Sequence, residues 1–185
     1  MLSKGWLGVA VVALVVRLGA AEVVVTNPKP APLADAVQRG DAQGVQELLK
    51  KKVDVNATQP DGATALHWAA YKGDAESTAA LIRAGANVNA KNKYDVTPLA
   101  LAADQGSTAV LDLLLKAGAK PNDPVNFVNA GETPLMHAAR SANVDAVRLL
   151  VRAGADVNAK ESWSGQTALM WAAADGYSAM VTALL

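Results

Sequence analysis

Two histidines, His67 and His137, are the side chains best suited to move a proton or hold a metal near neutral pH. Neither belongs to a His-Glu-x-x-His pair that would set two imidazoles on one helix face. Asp54-Val55-Asn56 and Asp156-Val157-Asn158 imitate the opening of a calcium loop. Such a loop closes on a glutamate at its twelfth position, where this chain has Ala65 and Thr167. The chain has no cysteine, which removes thiol nucleophiles, zinc–thiolate sites and disulfides. No nucleophile elbow and no phosphate-cradling glycine loop occurs. The expectation is a protein with no catalytic residue, no metal, no cofactor and no small-molecule substrate of its own. The aspartates and asparagines read as helix caps and turn residues.

The elements that carry these side chains recur. Thr64, Thr97, Thr133 and Thr167 are spaced 33, 36 and 34 residues apart, and Asn56, Asn89, Asn122 and Asn158 are spaced 33, 33 and 36. Two independent phrases with one period mean internal repeats. Three extra residues fall between Asn122 and Thr133, in DPVNFVNAGE, where they lengthen a loop. A degenerate earlier copy begins near Ala31, with Leu33, Ala36 and Gly40 matching Leu66, Ala69 and Gly73.

Each copy predicts two short helices. Its threonine can cap the first helix, and Pro98 and Pro134 follow at the position where a missing N–H costs nothing. Gly73, Gly106 and Gly176 end that helix. Asp41, Asp74, Ser107 and Asn143 open the second. Its buried face recurs as Leu48/Leu49, Leu81/Ile82, Leu114/Leu115, Leu150/Val151 and Leu184/Leu185, with Val45, Thr78, Leu111, Val147 and Val181 one turn earlier. A single pair cannot cover that face, so neighbours must stack into a solenoid.

The phrase T-A/P-L-H-x-A-A, then G, then L-L-x-x-G-A-D-x-N-A, resembles the ankyrin repeat across residues 31–185. The resemblance implies an all-α solenoid of four complete repeats, the first degenerate, and a truncated fifth. The repeats lie near 31–63, 64–96, 97–132, 133–166 and 167–185. It also implies a concave face, projecting turns and a structural, hydrogen-bonding role for His67. Lys52, Asp95 and Ala142 stand where glycine is usual, and Pro121 where an aliphatic residue is usual; local turn geometry is expected to differ there.

The ends read differently. Lys4, the apolar run Trp6 to Val16 and the small residues Gly19-Ala20-Ala21 make residues 1–21 a secretory signal peptide of a secreted bacterial type, cut after Ala21. A spanning helix needs about 20 apolar residues, and Arg17 and Glu22 interrupt any such window. Membrane attachment is therefore expected only if this segment stays uncleaved. The destination is periplasmic or secreted. Residues 22–30 form an extended, Pro-rich linker. At the other end the fifth copy stops on Leu184-Leu185, and the chain is expected to continue beyond it.

Seventeen basic residues balance seventeen acidic ones, which leaves no basic footprint for nucleic acid. Signal removal leaves 15 against 17, a net charge of −2. The expected partner is a protein, met by first helices and turn tips. The candidate contact residues are Tyr71, Lys72, Lys93, Tyr94, Asp104, Gln105, Phe127, Glu132, His137, Arg140, Trp163 and Asp175. Trp68 and Trp171, beside paired alanines, read instead as packing between first helices. The competing expectation is a targeting or substrate-presenting module of a longer enzyme whose catalytic part lies beyond residue 185.

Overall fold

A computed structural model describes residues 14–18, 21–25, 30–125 and 131–185. Phe127, most of the signal segment and residues 26–29 of the expected linker lie outside the described residues. First helices are α1 (Pro32–Arg39), α3 (Ala65–Tyr71), α5 (Pro98–Asp104), α7 (Pro134–Arg140) and α9 (Ala168–Ala174). Second helices are α2 (Ala42–Lys50), α4 (Ala75–Arg83), α6 (Thr108–Lys116), α8 (Val144–Arg152) and α10 (Ser178–Leu184). First helices stack in one row, α1 to α9, and α4, α6, α8 and α10 stack in another. Helices this short are marginal alone in water; the stack stabilises them.

The core follows the repeat. Leu33, Leu66, Leu99 and Leu135 are buried on the first helices, and Leu81, Leu114 and Leu150 on the second. Alanine pairs 69–70, 102–103 and 138–139 let first helices approach closely. Thr78 sits in the apolar row because its hydroxyl donates to the Asp74 carbonyl at 2.7 Å. Ala173, the counterpart of Ala70, is exposed, and Leu185 is 91% exposed.

The capping expectation holds in part. Thr97 and Thr167 accept from the amides of Ala100 and Met170. At Thr64 and Thr133 the third helical residue reaches back instead: His67 Nδ1 accepts the Thr64 N–H at 3.1 Å, and Met136 Sδ the Thr133 N–H at 3.5 Å. Asp41, Asp74 and Asn143 cap their helices, whereas the Ser107 side chain makes no capping bond.

The repeated asparagine is a cross-link between neighbours. Asn56 donates to the Gly85 carbonyl and accepts from the Asn87 amide. Asn89 does the same with Gly118 and Lys120, and Asn122 with Gly154 and Asp156. Each side chain satisfies a carbonyl at the end of the next second helix, which would otherwise lack a partner.

Turns close through backbone bonds between Gln59 and Ala63, Asn92 and Val96, Val125 and Glu132, and Glu161 and Gln166. The third closes over the longest segment, the expected place for the inserted residues. Lys52, Asp95 and Ala142 adopt φ of 53°, 56° and 56°. The glycine-like conformation therefore survives without glycine, at the steric cost of a Cβ.

One element was not expected. Residues Leu14–Leu18 (β1) and Ala21–Val25 (β2) form an antiparallel pair, with Leu14 opposite Val25 and Leu18 opposite Ala21. Both segments are rich in valine, whose branched Cβ favours extended backbone. The pair lies outside the repeats, which are helical apart from the isolated Val125–Glu132 bridge among the described residues.

Candidate interaction surface

The first helices and turns bring two groups of side chains together. In the first group, the Trp68 and Tyr71 rings meet edge to face, with centroids 6.0 Å apart and planes at 87°. The Trp68 Nε1–H donates to Gln59 Oε1 at 2.7 Å, and the Gln59 amide donates in turn to Asp35 and Gln38. This chain across three elements sets the indole's orientation. Beside the rings lies a cavity of about 250 Å³.

His67 forms part of its wall. Its Nδ1 accepts from the Thr64 backbone N–H, which places the ring proton on Nε2, 3.0 Å from the Val96 carbonyl. The imidazole thus ties the start of α3 to the next turn, as the resemblance implies. Burial lowers its pKa, against weaker opposing effects from Val96 and Asp61. It is a neutral strut.

The second group joins four of the residues expected at the surface. Arg140, at the end of α7, donates to Glu132 Oε2 at 3.2 Å and to Asp104 Oδ1 at 3.0 Å. Its guanidinium carbon stands 5.9 Å from the centroid of the Trp171 ring, within cation–π range. His137 Nδ1 lies 2.9 Å from Arg140 Nη2 and 3.3 Å from Asp104 Oδ1. One ring nitrogen serves one of these at a time: it accepts from Arg140 when bare and donates to Asp104 when protonated. His137 Nε2 is buried without a hydrogen bond, 3.6 Å from Glu132 Oε2. His137, followed by Arg140, holds the Asp104 carboxyl down at about 2, against partial burial that acts the other way.

Exposure sorts the expected contact residues. Tyr71, Lys72, Lys93, Tyr94, Asp104, Gln105, Arg140, Trp163 and Asp175 are exposed. Glu132 and His137 are buried, so they act on the surface through Arg140 and Asp104. Trp163, 88% exposed, stands at the tip of the fourth turn. Trp68 and Trp171 are half-buried against the core, which matches the packing reading, though Trp68 also lines the cavity.

Sequence reasoning missed Glu161. Its buried carboxylate accepts from the amides of Trp163, Ser164 and Gln166 and from the Ser164 hydroxyl. The Ser164 hydroxyl first, then the Gln166 amide, depress its pKa to about 2. The signal available was its place in a turn before two serines. The carboxylate holds the turn that presents Trp163.

Arg140 engages both carboxylates of the second group, and His137 beneath it is largely covered. That arrangement fixes a charged surface rather than opening a position for a reacting atom. Among the described residues no group of three or more His, Cys, Asp or Glu side chains is disposed to hold a metal ion. A family model described as ankyrin repeats (3 copies) matches residues 33–125 and 123–185. No curated protein matches the chain.

Proposed function

The chain belongs to the ankyrin-repeat family, whose stacks are generally protein–protein interaction modules and typically not enzymes, and we propose that this one binds a partner protein through its first helices and turn tips. The observation that carries the reading is the placement of exposed apolar side chains. Of the six exposed large apolar side chains among the described residues, Tyr71, Tyr94, Trp163 and Met170 lie on first helices or turns, and Tyr177 and Leu185 flank α10 at the last repeat. Aromatic and arginine side chains are what binding hot spots favour. The asparagine and histidine cross-links hold the stack rigid, which limits the entropy cost of association.

The test is capture of a partner by the full chain, with alanine at Tyr71, Tyr94 and Trp163 as variants. Loss of retention with an unchanged melting midpoint supports the reading. Retention that survives all three and is lost with Arg83→Glu on α4 would move binding to the second-helix face.

The N-terminal segment belongs to this proposal as an export signal cleaved after Ala21, which makes the protein periplasmic or secreted. Its support is the basic start, the apolar run and the small residues before Glu22. Among the described residues no helix is long and apolar enough to cross a membrane. Cleavage there removes β1 and the first residue of β2. The mass of the mature N-terminus decides it, and an intact Met1 in the exported protein would refute cleavage.

A further inference from the structure

We propose that the cavity beside Trp68 receives a single arginine side chain of the partner, stacked on the indole and paired with Asp61; the inference rests on the protein-binding reading above. Trp68, Tyr71 and Leu101 supply apolar walls, and Asn92, His67 and Asp61 the polar ones. The two rings meet at nearly a right angle, so one corner of the cavity is built from aromatic surface. The faces of such rings attract cations. A volume of about 250 Å³ suits one long side chain rather than a folded cofactor.

The charge points the same way. Asp61 Oδ1 accepts the Ala63 amide at 2.9 Å, which leaves Oδ2 without a hydrogen bond among the described residues. The field of this carboxylate reaches His67, which places it at the cavity. His67 cannot answer it, because its only ring proton is given to Val96. Lys93 meets Asp61 through its backbone amide, and its side chain is not part of the wall. The cavity therefore combines a carboxylate with two aromatic rings and contains no cation.

The protein shows the complementary arrangement elsewhere. Trp171 occupies the station of Trp68 three repeats on, and there Arg140 stands over the indole while binding Glu132 and Asp104. The counterpart of Arg140 one repeat before Trp68 is Gln38, which is occupied with Gln59. At Trp171 the chain supplies its own guanidinium; at Trp68 it leaves the position to another molecule. Arginine suits the cavity better than lysine, because its planar guanidinium can lie on an indole and still present paired N–H groups to a carboxylate.

The full chain is titrated with the blocked peptide acetyl-Gly-Arg-Gly-amide and with its citrulline analogue, which keeps the shape and removes the charge. The readout is the NMR resonance of the Trp68 indole N–H. The arginine peptide is expected to shift it with a dissociation constant in about the millimolar range. The citrulline peptide should bind about ten-fold more weakly. Asp61→Asn, which keeps the acceptor for Ala63, should reduce the arginine peptide to the citrulline level. Where circular dichroism shows that variant unfolded, Tyr71→Ala replaces it. Equal binding of the two peptides, or shifts centred on Trp171, overturns the proposal. A partner retained equally by wild type and Asp61→Asn also overturns it and leaves the protein-binding reading intact. Arginine-peptide binding at Trp68 with no partner retained supports the cavity and counts against that reading instead.

Discussion

The aromatic corner around Trp68 and the charged cluster around Arg140 occupy corresponding stations of different repeats, yet they spend their side chains differently. Positions 68, 101, 137 and 171 share one register and hold Trp, Leu, His and Trp; positions 71, 104 and 140 hold Tyr, Asp and Arg. Around Trp68 the exposed groups are tied mainly to walls and floor, and a carboxylate oxygen and two ring surfaces remain open. Around Arg140 nearly every charge is answered within the chain: one guanidinium spans two carboxylates and stands over an indole. The same backbone frame thus supports a surface left open and a surface already closed. Stability should reside in the struts of the first region and in the charges of the second.

The sharpest way to break that comparison is His67→Ala. It removes a buried ring, leaves the Thr64 amide unpaired and takes from the Val96 carbonyl the second of its two hydrogen bonds, the other coming from the Asn92 amide, so unfolding free energy should fall by about 2–4 kcal/mol. Urea melts of the full chain read it, and a loss no larger than that of Tyr71→Ala would deny His67 its role as strut. Arg140→Ala should come next, at about 1–3 kcal/mol, because it leaves Glu132 buried without its guanidinium. Arg140→Lys should recover only part of this, since an ammonium cannot span both carboxylates in the same geometry.

Ala142→Gly works in the opposite direction. Alanine is held at a positive φ between α7 and α8 where Gly73 and Gly106 serve elsewhere, so glycine should raise stability by about 1 kcal/mol. No gain in the urea midpoint would show that the strain is absent. Tyr71→Ala, at the open corner, should stay within about 0.5 kcal/mol of wild type.

The smallest effect is a pH dependence. Asp104 has a folded pKa near 2, below its ordinary value of 3.8. A depressed carboxylate pKa contributes stability that is present above the unfolded value and lost as pH falls through the folded one. The stability advantage of wild type over Asp104→Asn should therefore be full near neutrality and fade from about pH 4 to about pH 2. Partial exposure of Asp104 keeps the difference small. A difference that is constant with pH would remove the carboxylate's charge from the explanation.

The period of threonine, glycine and leucine determined the repeats, both helices of each, the row of Leu81, Leu114 and Leu150, and the loop that takes the inserted residues. These are local matters: capping, helical spacing and an apolar face that one pair cannot hide act within one copy and its neighbour. The sequence also placed Asp104, Glu132, His137 and Arg140 on the same side of the stack. What it could not show was that Arg140 binds both carboxylates, that Glu132 and His137 lie beneath it, or that Asn56, Asn89 and Asn122 each bridge to the next repeat. Asp104 and the partners of the three asparagines are about one repeat away in the chain and meet only when helices are stacked at a definite spacing, whereas Glu132 and His137 are near Arg140 in sequence and reach it through the fold of α7 and the turn before it. The N-terminal strand pair was missed because the same apolar run satisfies an export signal and a valine-rich strand. The open cavity at Trp68 belongs wholly to the tertiary structure: whether an indole, a phenol and a carboxylate enclose a space depends on the distance between α3 and α5, and no side-chain pattern states that distance.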